Sequence, residues 1–178
     1  MLTQETLRPA LLIKPTIVSK LLDELPLQND MHVLEISPTN TEHLPYIFQK
    51  AENIHYFAAQ DPETEPAGIF SDYTADFFDC CYMVNHIYFW SDPLPYFSEI
   101  YRVLKPGGTM NLAFIEKRFG GHLPWTQLSF TFYDIDEVQS FFKRSGFLNI
   151  TLKEMTETTT DQHGKEINRP FILISGQK

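Results

Sequence analysis

The first clear pattern in the chain is helical: Ile17, Val18, Leu21, Leu22 and Leu25 recur three and four apart, and Pro15 suits a first helical turn. Residues 25–30 read as a loop, and residues 31–36 as a short strand halted by Ser37-Pro38. A second amphipathic stretch puts Leu44, Ile47, Phe48 and Ala51 on one helical face, and residues 54–59 read as another strand. Between Asp61 and Asp76 the pattern weakens. Pro62, Pro66 and Gly68 punctuate an acidic loop with room for one short strand near Ile69-Phe70. Residues 78–84 are almost continuously apolar, as expected of a parallel strand covered on both faces.

Ser91-Asp92-Pro93 predicts a capped helix start, with Leu94, Phe97, Ile100, Tyr101 and Leu104 as the apolar stripe. Lys105-Pro106-Gly107-Gly108 ends that helix, because proline cannot continue it and paired glycines permit positive φ in a tight reversal. Residues 109–115 follow as a strand. Asp134 with Glu137 three residues on predicts a capping box, Val138, Phe141 and Phe142 face inward, and Gly146 closes the helix in a left-handed cap. Two further strands, 147–153 and 170–175, are expected to pair through a polar loop rich in Thr and Asp. Strands alternating with helices predict an α/β fold with a mostly parallel sheet and a C-terminal antiparallel hairpin. No repeat or linker divides the chain, so residues 1–178 are expected to form one unit, with 1–30 as a helical lead-in and 31–178 as the sheet core.

Composition narrows the function classes. The formal charge of -9 repels phosphate backbones, and no dense Lys/Arg run offsets it, so nucleic-acid binding is not expected. Leu11, Leu12 and Ile13 are cut short by Lys14-Pro15, and no apolar run of membrane length follows, which makes the cytoplasm the default location. Cys80 and Cys81 are adjacent, so they point to opposite faces of a strand, are poorly placed to bridge, and have no metal-ligand spacing. No metal site is expected.

The segment FDCCYMVNHIYFWSDPLPYFSEIYRVLKPGGTMNLAF, beginning at Phe78, resembles the class I S-adenosylmethionine (SAM) methyltransferases in order, spacing and residue type. LPLQNDMHVLEI, ending at Ile36, looks like the lead-in and first strand of that family, and FYDIDEVQSFFKRSGF, ending at Phe147, is similar to the helix before its sixth strand. The resemblance implies a Rossmann-like three-layer sandwich, SAM as cofactor, and methyl transfer to a small-molecule acceptor. A relative that keeps the scaffold as a binding or partner protein without SAM is the alternative.

The resemblance also assigns site positions. Glu35 stands at the family's acidic position, but the loop that should read E-x-G-x-G-x-G continues Ser37-Pro38-Thr39-Asn40, without glycine. Pro38 removes a backbone donor there. Ser37, Thr39 and Asn40 either replace backbone contacts to the cofactor or simply cap a strand-to-helix turn. Pro45 sets the following helix to start late. The family's ribose-binding acid falls on Ala59, and Asp61, two residues later, substitutes for it only if the loop bends back. The stretch between residues 36 and 78 is compressed, so at least one helix is expected to be missing, leaving the adenine side open or filled by aromatics such as Phe57 and Tyr73. Asn85 ends the strand whose mouth contacts cofactor and acceptor in the family. His86 is a candidate base there, and Tyr88, Phe89 and Trp90 line a pocket or close an apolar lid. The loop with Glu116, Arg118, Phe119, Gly120, Gly121, His122 and Trp125 is a candidate acceptor contact, His122 being a second possible base.

Overall fold

The computed structural model describes residues 16–60, 70–120, 130–161 and 163–178. In chain order the elements are α1 (Ile17–Glu24), β1 (His32–Ile36), α2 (Leu44–Lys50), β2 (His55–Ala59), β3 (Phe78–Val84), α3 (Leu94–Val103), β4 (Leu104–Phe114), α4 (Lys117–Gly120), α5 (Ile135–Arg144), β5 (Leu148–Thr160) and β6 (Glu166–Gln177). They build a six-stranded sheet in the order β2-β1-β3-β4-β6-β5. The first three neighbouring pairs are parallel, and β6 is antiparallel to both β4 and β5. This is the α/β, mostly parallel architecture with a terminal antiparallel hairpin that the apolar pattern predicts.

The helices divide between the two faces. α1 and α2 cover the face that carries Glu35, Tyr82 and Asn111, where Lys50 of α2 donates to the Leu22 carbonyl of α1. On the opposite face, Phe97 of α3 packs edge-on against Phe142 of α5, and Phe142 lies over Gly176 of β6. The core runs between these layers through Leu34, Cys81, Met83, Met110 and Leu112, all fully buried.

Local chemistry explains most boundaries. Asp134 and Glu137 form the expected capping box, and Gly146 has φ 101°. Gly107 takes φ 82°, whereas a Cβ on Gly108 would approach the Lys105 carbonyl oxygen to 2.9 Å, so the two glycines serve different needs. α3 departs from expectation at its start. Pro93 occupies the N-cap position and no side chain caps the helix. β4 begins at Leu104, directly after α3, rather than beyond the glycines. Of the predicted apolar stripe on α2, Ile47 is buried but Phe48 is 49% exposed.

The largest difference lies at the C-terminal hairpin. The expected polar loop is strand: β5 runs on to Thr160 and β6 starts at Glu166. The last β4 pair is Phe114 with Ile172, so residues 155–160 and 166–171 continue as a two-stranded ribbon past the carboxyl end of β4.

Candidate functional site

A cleft of about 460 Å³ opens at the carboxyl ends of β1 and β3, on the α1–α2 face. Its walls are the start of α1 (Thr16 to Ser19), the β1–α2 loop (Ser37 to Asn40, with Glu42 and His43), and Val84-Asn85 at the end of β3. The site therefore lies at the carboxyl edge of the parallel strands, where open α/β sheets bind ligands. Glu35, Ser37, Thr39, Asn40 and Asn85 are brought together here. Asp61 and His122 lie outside the described residues.

Two backbone conformations shape the cleft. Ser37 has φ 51° and Asn85 has φ 52°, both in the left-handed region that favours glycine. Each is anchored by the next strand, Ser37 N–H to the Ala59 carbonyl at 2.7 Å and Asn85 N–H to the Ala113 carbonyl at 2.9 Å. The first glycine position of the loop thus keeps a glycine-like conformation with a serine in it. Ala59 is beside the loop, paired in register with Ile36. Asn40 Oδ1 accepts from Glu42 N–H at 3.0 Å, which makes a turn ahead of α2. α2 starts at Leu44 with His43 as N-cap, seven residues after Ser37, so the late start set by Pro45 holds.

Glu35 is only 5% exposed, and a single oxygen, Oε2, accepts three hydrogen bonds. They come from Tyr56 Oη at 2.6 Å, His43 Nε2 at 2.7 Å and Tyr82 Oη at 2.8 Å. Oε1 takes none of these bonds, and Glu35 lines the cleft. Burial, together with the neighbouring carboxylate, pushes both tyrosine hydroxyls far above their ordinary pKa. They are protonated donors at neutral pH. Sequence reasoning did not find this trio. An acid inside a strand demands partners on neighbouring strands, but which residues answer depends on the register pairing Glu35 with Tyr82.

The aromatic residues after β3 divide. Tyr88 and Trp90 are buried, Trp90 stacking on Tyr96 at 4.0 Å, while Phe89 is 55% exposed. His86 packs 5.0 Å from the Phe89 ring and 5.7 Å from Trp90, and is not among the residues lining the cleft. Glu116 is buried and pairs with Arg118. Phe57 and Tyr73 belong to a ring cluster with Phe77 and Phe78, and Phe57 also contacts His32, the first residue of β1. That cluster lies toward the amino ends of the strands and does not line the cleft. Between β1 and β3, α2 is the one α-helix among the described residues. Burial lifts the Cys80 thiol to about 12 and Cys81 well above its ordinary value, so neither is a reactive thiol.

The family model for the methyltransferase domain matches residues 18–112, more than half of the chain. The chain belongs to the class I SAM-dependent methyltransferases. No curated protein matches this methyltransferase in sequence. Among solved structures, it resembles a chain of the complex between the Haloferax volcanii Trm112 methyltransferase activator and its methyltransferase, with TM-score 0.69 and 13% identity over 90% of this chain and 88% of that one. A SAM-dependent methyltransferase of Thermotoga maritima is similar at TM-score 0.61 and 19% identity, over 92% and 90% of the two chains. Haemonchus contortus phosphoethanolamine N-methyltransferase 2 in complex with S-adenosyl-L-methionine aligns at TM-score 0.67 and 13% identity, over 91% of this chain and 52% of that chain.

The chemistry of the cleft residues is compatible with a ligand of the size and polarity of SAM. The cleft volume falls in the range of small-ligand pockets, roughly 300–1,000 Å³, and its lining offers hydroxyl, amide and carboxylate groups. On the ribose side the fit is poorer, since Ala59 has no acceptor and the Gln60 amide is turned to the Pro38 carbonyl at 3.4 Å.

Proposed function

We propose that the protein binds SAM in the cleft at the ends of β1 and β3 and transfers its methyl group to a small-molecule acceptor. The observation that carries this reading is the pair of left-handed residues, Ser37 and Asn85, bounding a cleft at the position where the family holds its cofactor. In this reading Ser37, Thr39 and Asn40 take over contacts that a glycine loop makes through its backbone, and Glu35 Oε1 accepts from the ligand. Asn85 Oδ1 already accepts from Tyr88 Oη at 3.0 Å, which leaves its NH₂ to donate. Asp61 is the proposed substitute for the ribose acceptor. SAM supplies a methyl group on a good leaving group, so the protein's task is alignment and exclusion of water. Where the acceptor must lose a proton, His86, the chain neighbour of Asn85, or His122 is the proposed base.

A second reading is favoured by a different observation: Ala59 offers the ribose nothing, and Glu35 is already held by three side chains. The chain would then be a methyltransferase-like partner protein that no longer binds SAM, and the Haloferax volcanii methyltransferase seen with its activator is a precedent for a partner. Among the described residues no helix is long and apolar enough to cross a membrane, and we place the protein in the cytoplasm. Calorimetric titration with SAM and its demethylated product separates the two readings. Saturable binding supports the enzyme, and its absence supports the partner protein.

A further inference from the structure

The ribbon at the end of β5 and β6 is fastened to the α1 wall of the cleft. Glu157, on the ribbon, is 3% exposed. Its Oε2 accepts the Ile17 N–H at 2.8 Å, and its Oε1 accepts from Arg169 Nε at 2.9 Å and Nη2 at 2.6 Å. Ile17 is the first residue of α1, and it lines the cleft with Thr16, Val18 and Ser19. A carboxylate at a helix N-terminus satisfies an orphan amide and meets the positive end of the helix dipole. One helical turn along, Lys20 donates to the Thr156 carbonyl.

Glu157 is buried and Arg169 partly so, and bringing the two together strips water from each, which hairpin pairing alone does not require. What the pair adds is a fixed position for the first turn of α1. We propose that Glu157 and Arg169 are a positioning pair that holds α1 as a wall of the cleft and thereby sets ligand affinity without touching the ligand. The affinity half of this proposal rests on the cleft being the cofactor site. The placement of α1 does not.

The test uses a thiol reporter in the full chain. Cys80 and Cys81 are fully buried, so they give little background to a thiol reagent. A Ser19→Cys thiol on α1, at a position 9% exposed, reacts slowly while the helix is seated and faster when it lifts. Glu157→Gln removes the charge, and Arg169 at 27% side-chain exposure stays reachable by water. Ile17→Pro removes the N–H donor at a first helical position, where proline is tolerated and Thr16 is already extended at φ -82°, ψ 164°; it also trims the buried, cleft-lining Ile17 side chain, so this variant is read by labelling and not by affinity. It serves if Glu157→Gln fails to fold. Either change is expected to speed labelling of Ser19→Cys, and Glu157→Gln to weaken SAM or its demethylated product by about two- to thirtyfold, the size of indirect coupling. Unchanged labelling overturns the proposal. Faster labelling with unchanged affinity overturns its functional half and leaves the pair a fold element. If the parent protein binds neither SAM nor its product, the cofactor reading fails, and the labelling rate alone decides whether the pair positions α1.

Discussion

Ser37 and Asn85 end adjacent strands in the same left-handed backbone conformation, at φ 51° and 52°. Asparagine tolerates that region well, and serine does so less readily. The strain at Ser37 therefore survives because the loop is held on both sides, by the Ala59 carbonyl and by the turn at Asn40.

Ser37→Gly is expected to stabilise the protein by about 0.5–1 kcal/mol, the relief of left-handed strain less the added entropy of glycine in the unfolded chain. Ser37→Val is expected to cost more than about 1 kcal/mol, because a β-branched side chain suits positive φ poorly. Urea unfolding of the two variants beside the parent measures both. A destabilised glycine variant would show that the serine side chain, rather than the backbone, governs the loop.

SAM is expected to bind at tens of micromolar or weaker, since Pro38 lacks an amide donor, Ser37 and Thr39 narrow the loop, and Ala59 supplies no ribose acceptor. Restoring a charged acceptor with Ala59→Asp should return about one to two decades of affinity. The combination with Ser37→Gly and Thr39→Gly should tighten binding further where the crowding of the loop outweighs the contacts those side chains make, all three changes touching one ligand. Sub-micromolar binding by the parent chain would overturn this account. Failure of the triple variant to bind would mean the pocket itself no longer fits SAM.

The protein is expected to lose stability steeply above about pH 10, the ordinary tyrosine pKa. Tyr56, Tyr82 and Tyr88 all have raised pKa values in the fold, chiefly through burial. The unfolded chain then releases protons that the folded chain retains, so unfolding becomes more favourable as pH rises. Below pH 10 these groups contribute no slope. Above it, Tyr82 and Tyr88, both buried, each remove about 1.4 kcal/mol per pH unit. Stability from denaturant midpoints at pH 8 to 11 should begin to fall near pH 9, where Cys80 and Cys81 ionise in the unfolded chain but not in the fold, and fall more steeply above about pH 10, where Tyr82→Phe should reduce the slope.

Gly176→Ala should destabilise by about 1–3 kcal/mol through overpacking. A Cβ there would stand 2.6 Å from Phe142 Cδ1 and 3.0 Å from Phe147 Cβ, in the layer between β6 and α5. Pairing the change with Phe142→Leu should recover part of the loss if the ring is the obstacle, and a thermal melt of the two variants resolves it.

Local signals made most of the fold legible. Asp134, Glu137 and Gly146 bracket α5 as expected, because caps and left-handed closures are decided within a few residues. The strand at residues 78–84 was legible from its two-sided apolar run, and it does lie inside the sheet between β1 and β4. What failed to show was non-local. Phe48 follows the helical period but meets solvent, because α2 covers the sheet with Ile47. The Thr-rich segment from Thr156 to Thr160 looked like a loop by polarity, although its β-branched residues favour strand, and the partner residues 166–170 supply the pairing. At the site, Glu35 and the loop after it were visible through their order along β1. Tyr56, Tyr82 and His43 were not, since nothing in a single sequence states which residue lies beside which across three elements.

Ile17 and Glu157 stand 140 residues apart along the chain. During synthesis the helix that walls the cleft is therefore made before Glu157, and its Ile17 N–H waits for that partner until the ribbon has emerged from the ribosome. Domains form in the order in which they are made, and distant contacts are the slow ones. A nascent chain holding every strand from β1 to β4 would already own most of its core yet have an unfinished pocket. Ligand binding would then arrive only once Glu157 and Arg169 have been made.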